Sequence, residues 1–121
     1  MKKYVTWLLL SIIISSCGKE ETFNPDTLPQ CTSLTPVNPC ITKMIDDFKT
    51  KHAGLKNYII SRTTYRGQLV FLFAYCPQCD GPTVLINNCC NTIGELCGDC
   101  YPDAFHRDFI QNSGNTTQIW P

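Results

Sequence analysis

The sequence predicts an α+β domain, one amphipathic helix on a small antiparallel β-sheet with a disulfide-rich C-terminal half, and three observations predict it. Apolar residues recur at the spacing of one helical face at Ile41, Met44, Ile45 and Phe48. Two β-branched and aromatic stretches, Tyr58–Tyr65 and Gln68–Tyr75, flank Arg66-Gly67, the pattern of a β-hairpin. Six cysteines crowd into residues 76–100, a density that reads as a disulfide framework in an oxidising compartment.

The first element is not part of that fold. Lys2 and Lys3 precede an apolar run over residues 4–14, then Ser15, Ser16 and a cysteine, which is the order of a secretory signal. The run is about a dozen residues, whereas a membrane-spanning helix needs roughly 20. Ile14-Ser15-Ser16-Cys17 resembles the bacterial lipobox, which implies diacylglycerol on the Cys17 sulfur and removal of residues 1–16. Each buried methylene contributes roughly 0.8 kcal/mol, so two or three acyl chains anchor a protein durably. Cys17-Gly18-Lys19-Glu20-Glu21 resembles the lipoprotein export signal of Bacteroidota, with Lys19, Glu20 and Glu21 as its charged residues. That implies an outer-membrane lipid anchor displayed at the cell surface, a periplasm-facing anchor being the alternative.

Residues 17–38 are expected to form a lipidated flexible tether, and 39–121 the stapled domain. Four of the 8 prolines lie in residues 18–39, where fixed backbone dihedrals and missing amide donors favour an extended spacer. Within it, Asp26-Thr27-Leu28 resembles a short O-glycosylation motif of exported Bacteroidota proteins. The helix opens on Asn38 as N-cap, with Pro39 at the first position where a missing amide donor costs nothing. Lys49 and Lys51 suit its C-terminus, and Gly54 supplies the stop. In the second hairpin strand, Leu69, Phe71 and Phe73 alternate with Val70, Leu72 and Ala74, so both faces should be covered. A third strand is expected at residues 83–86, between Gly81-Pro82 and Asn87-Asn88. Beyond it Gly94, Gly98 and Pro102 predict irregular structure, and Ile119-Trp120 either returns as a short strand or packs as an anchor.

Charge excludes one class of partner. Without Lys2 and Lys3 the chain has eight basic residues against ten acids, a net charge of −2, and no basic stripe to neutralise phosphates, so no nucleic acid is expected. About 105 residues leave a thin margin of stability for a hydrophobic core alone. With Cys17 lipidated, eight of the 9 cysteines remain: Cys31, Cys40, Cys76, Cys79, Cys89, Cys90, Cys97 and Cys100. An even set in a small exported domain reads as up to four disulfides, with the pairing open. Closing a loop of about 15 residues stabilises by roughly 3 kcal/mol.

Two sharper chemistries compete for these sulfurs. Cys76-Pro77-Gln78-Cys79 and Cys97-Gly98-Asp99-Cys100 have the spacing of a zinc ribbon, with four thiolates around one ion. Oxidation outside the cytosol, and Cys89-Cys90 between the two pairs, weigh against it. Alternatively Cys76 and Cys79 form a thiol redox pair after a hydrophobic strand. That mechanism needs a following helix N-terminus, and Asp80-Gly81-Pro82 opposes one. Cys89-Cys90 is expected to pin two neighbouring segments rather than to form a vicinal switch. His52 and His106 are expected at the surface, since no nucleophile or carboxylate set accompanies them. Asp99, Asp103 and Asp108 fit no calcium loop, and the aromatic residues are expected in the core rather than along a ligand groove.

Most of the chain beyond the tether resembles a domain of unknown function common in small exported Bacteroidota proteins. The resemblance is carried by Pro39-Cys40-Ile41, Tyr65-Arg66-Gly67-Gln68-Leu69-Val70, Cys79-Asp80, Gly98-Asp99, Pro102-Asp103 and Ile119-Trp120. That family often has adjacent cysteines after the second strand, whereas Pro77-Gln78 separate Cys76 from Cys79 here. It implies no activity and no catalytic residues. The expectation is therefore a non-enzymatic surface lipoprotein with a binding or structural role, no cofactor or metal, and a membrane attachment at Cys17; a protein or glycan ligand stays unspecified. Its rival is the zinc-binding or redox reading of Cys76, Cys79, Cys97 and Cys100.

Overall fold

A computed structural model describes residues 22–77, 80–98 and 101–121. The signal segment, Cys17, the Lys19-Glu20-Glu21 cluster, Cys79, Asp99 and Cys100 lie outside the described residues.

The chain forms α1 (Pro39–Lys51), β1 (Tyr58–Tyr65), β2 (Gln68–Tyr75), β3 (Thr83–Asn87), β4 (Thr92–Leu96), α2 (Ala104–Asn112) and β5 (Thr117–Trp120). The strands make one antiparallel sheet in the order β4-β3-β2-β1-β5. The fold is α+β as expected, with more elements than the sequence suggested.

Local chemistry sets the first half. The Asn38 side chain accepts from the Cys40 amide at 3.1 Å and Pro39 takes the first helical position, so α1 starts where its cap places it. Between β1 and β2, Arg66 and Gly67 both have positive φ, 46° and 76°, the geometry of a two-residue type I′ turn. That turn fixes the register, Tyr65 opposite Gln68 and Tyr58 opposite Tyr75.

The alternation in β2 is used on both faces. Phe71 and Phe73 join Ile60, Ile86 and the α1 residues Ile41 and Phe48 in one core; Val70 joins Tyr65, Leu85, Ile93 and Phe109 of α2 in the other. Neighbouring strand residues point to opposite faces, so α1 and α2 cover opposite sides of the sheet. Each such fully buried side chain stabilises by about 1.5–3 kcal/mol.

Two expectations are corrected here. The stretch after β3 is regular: β4 pairs with β3, and α2 is capped by Asp103, which accepts from the His106 amide at 2.7 Å. Gly94 does not break β4 but makes room within it, because a Cβ there would stand 2.2 Å from the Phe105 ring of α2. Ile119-Trp120 does both things foreseen for it, forming β5 and placing the Trp120 ring 6.0 Å from that of Phe48.

Residues 22–38, expected as the outer part of a flexible tether, lie along the domain. Phe23 meets Phe105 edge-on at 5.3 Å, Leu28 packs against the α2-side core, and Cys31 is 3% exposed. Among the described residues no helix is long and apolar enough to cross a membrane.

Candidate functional site

The densest chemistry is a clamp at the end of β3, in the run Asn87-Asn88-Cys89-Cys90. Cys89 is bonded to Cys31 and Cys90 to Cys40, with Cα separations of 5.7 and 6.3 Å. The adjacent cysteines thus pin two segments, the N-terminal strap and the first turn of α1. The asparagines finish the attachment, and both are 0% exposed. Asn88 Oδ1 accepts from the Asn38 amide at 2.9 Å, while its Nδ2 donates to the Ser33 and Pro36 carbonyls, each at 3.1 Å. Asn87 Oδ1 accepts from the Cys89 and Asn91 amides, and its Nδ2 donates to the Pro29 carbonyl at 3.2 Å. Gln68 Oε1, buried beside it, accepts from the Cys31 amide at 2.9 Å. A strap rich in proline has few amides to place in a ladder, so side-chain amides satisfy its buried backbone instead.

The second Cys-rich region brings Gly98 against the Asp80-Gly81 turn. The backbone of Gly98 lies so close to Asp80 and Gly81 that a Cβ would meet backbone atoms at 2.7–2.8 Å. Cys76 and Cys97 are both disulfide-bonded. Oxidised sulfur is no zinc ligand. The redox reading also lacks its helix, since Asp80 to Pro82 leads directly into β3. The described cysteines therefore act as staples.

A third cluster ties α2 to the hairpin. The Tyr65 hydroxyl and Arg66 Nε both donate to Asp108 Oδ2, the latter at 2.9 Å, and Asn112 Nδ2 reaches Asp108 Oδ1 at 3.2 Å. Burial, then the Asp108 carboxylate, pushes the Tyr65 hydroxyl up to about 12. The hydrogen bonds from Arg66 hold the Asp108 carboxyl below its ordinary value against the opposing effect of burial. Asp103 and Asp108 are thus occupied as a helix cap and a helix tie. Tyr65→Phe is expected to lose about 2 kcal/mol in a urea titration, the scale of a hydrogen bond to a charged group. The folded state keeps Tyr65 neutral where the unfolded chain ionises. The wild type should therefore lose stability as pH rises from 10 toward 12, and Tyr65→Phe should lose less.

The remaining feature is an apolar groove of about 260 Å³ between α1 and the sheet, walled by Met44, Phe48, Phe73, Tyr75, Val84 and Ile86, with Asp47, Lys51 and His52 along its α1 side. His52 corrects the sequence reading: it is 6% exposed, stacked on Tyr58 at 4.0 Å, and meets Tyr75 edge-on at 5.7 Å. Phe48 of α1 and the aromatic rings of β1 and β2 bury it together. His106 is half-buried in the first turn of α2. In the strap, Thr27 of Asp26-Thr27-Leu28 is exposed in a short 3-10 turn, its hydroxyl donating to the Asn24 carbonyl at 2.7 Å. Among the described residues, no group of three or more His, Cys, Asp or Glu side chains is placed to hold a metal ion.

Residues 46–121 match the model of a domain of unknown function, DUF6970. The chain belongs to this family. The DUF6970 match begins inside α1, so both described disulfides join the matched region to residues ahead of it, Cys31 and Cys40. No curated protein and no solved structure matches the chain.

Proposed function

We propose that this DUF6970 protein is an exported lipoprotein, anchored in the outer membrane through Cys17 and displayed at the cell surface, whose stapled domain has a non-catalytic binding or structural role. The observation that carries the reading is the covalent attachment of strap and α1 to the β3 turn through Cys31–Cys89 and Cys40–Cys90. Such bonds persist in oxidising compartments and are rare in the cytosol. The same compartment follows from the Lys2-Lys3 and apolar leader, and the sulfur at its end, Cys17, is left out of the even set of eight.

The titratable cluster at Tyr65, Arg66 and Asp108 holds α2 in place, and the β3 clamp brings the strap against the domain.

Two substitutions test the address. Cys17→Ser is expected to abolish labelling by a fatty-acid probe and release the protein from membranes; a mutant still labelled would contradict lipidation. Replacing Lys19, Glu20 and Glu21 together by alanine should preserve the lipid but protect the protein from protease added to intact cells. Equal shaving of mutant and wild type would argue against the export role of these residues.

A further inference from the structure

His52 is a buried titratable group that none of the roles above employs. It caps the C-terminus of α1, with its amide donating to the Phe48 carbonyl at 3.0 Å and its carbonyl accepting from Leu55 at 3.0 Å. Its ring fills a slot among aromatic residues: nearly parallel to Tyr58, 12° between planes, edge-on to Tyr75, and tilted against Phe48 at 4.5 Å. Nε2 is fully buried and has no hydrogen-bond partner. The same ring lines the α1 end of the apolar groove.

We propose that His52 is a proton-operated latch: its neutral ring locks the last turn of α1 onto the sheet, and acidification releases that turn and opens the end of the groove.

A neutral imidazole suits this slot because it stacks as an aromatic plate. An imidazolium does not, since its Nε2–H would be a charged donor without an acceptor in an apolar site. The surroundings do little to offset this. On α1 itself the charged neighbours along the groove are Lys51 and Asp47, and Asp47 is paired with Lys43 at 2.6 Å. From β1 and β2 the titratable groups against the ring are the phenols Tyr58 and Tyr75, and the β3 wall, Val84 and Ile86, is apolar. Ring faces and the helix C-terminus favour a cation. Burial, followed by the charge of Lys51, outweighs them and holds His52 below its ordinary 6.5. The unfolded turn then binds a proton more readily than the folded one, so stability conferred by His52 is complete above pH 6.5 and is lost as pH falls toward the folded value.

The chain has only 2 histidines, so the purified protein can be read directly. Proton NMR should show the His52 ring titrating below 6.5. Hydrogen exchange at the His52 and Leu55 amides, corrected for the intrinsic rate, should quicken by up to about tenfold per pH unit below roughly 6.5, the slope of one linked proton. His52→Phe should flatten that slope, because phenylalanine keeps the stack without the charge, whereas His106→Gln should leave it intact. A His52 ring titrating at or above 6.5, corrected exchange independent of pH, or a slope retained in His52→Phe would each overturn the latch. Should His52→Phe fail to fold, the wild-type titration and exchange decide the matter by themselves.

Discussion

Replacing Cys31 and Cys89 together by alanine is expected to lower stability by about 3 kcal/mol, and removing Cys40 and Cys90 as well to lower it by about 7 kcal/mol in total. The two steps differ in kind. The bonds span sequence separations of 58 and 50 residues, yet they end on neighbouring cysteines of one turn. While either bond is intact, the other closes a ring of only about ten residues, worth roughly 3 kcal/mol in chain entropy. Only loss of the second opens the ring of 50, worth roughly 4 kcal/mol. A loss of about 7 kcal/mol is comparable to the whole stability of a small domain, so the fourfold variant should be unfolded at 25 °C. Urea titrations of the two double variants and the fourfold variant check this. Two double variants each as damaging as the fourfold one would contradict the shared-turn account.

Asn88→Ala should cost about 3 kcal/mol, more than an ordinary surface substitution by far. The amide is wholly buried and serves the Asn38 amide and the Ser33 and Pro36 carbonyls, so truncation leaves several backbone groups unpaired at once. Asn88→Asp sharpens the test. It preserves the acceptor for Asn38 but turns a carboxylate toward two carbonyls, so it should be less stable than Asn88→Ala at pH 7 and recover as the pH is lowered toward 4. Thermal melts of the two variants at both pH values read the difference. An Asn88→Ala protein melting like wild type would mean that the disulfides and the Gln68 and Asn87 bonds hold the strap without Asn88.

What the sequence made legible is what local rules govern. Asn38-Pro39 placed the start of α1, Arg66-Gly67 placed the hairpin turn, and the β2 alternation announced a sheet covered on both faces. The helix that covers the second face had its own signal, Asp103 as cap with Phe105 and Phe109 four apart, but proximity to the cysteines and Pro102 obscured it. Gly94 suggested a break because a glycine's close-approach role depends on what packs over it, here Phe105. The strap's packing was not legible for a related reason. Prolines predict an extended backbone but say nothing of its partners, and those partners, Gln68, Asn87 and Asn88, lie 37 to 58 residues away. For His52 the local signal was partial: it stands four residues after Phe48 on the apolar face of α1, but the Tyr58 and Tyr75 rings that complete its slot come from the hairpin.

Whether these cysteines are oxidised staples is read from a disulfide map of the native protein, taken by non-reducing peptide mass spectrometry after alkylation. The map is expected to contain peptides joining Cys31 to Cys89 and Cys40 to Cys90, with Cys76 and Cys97 protected from alkylation. Alkylated Cys76, Cys79, Cys97 and Cys100 accompanied by one zinc per chain, or a bond between Cys89 and Cys90, would contradict that expectation.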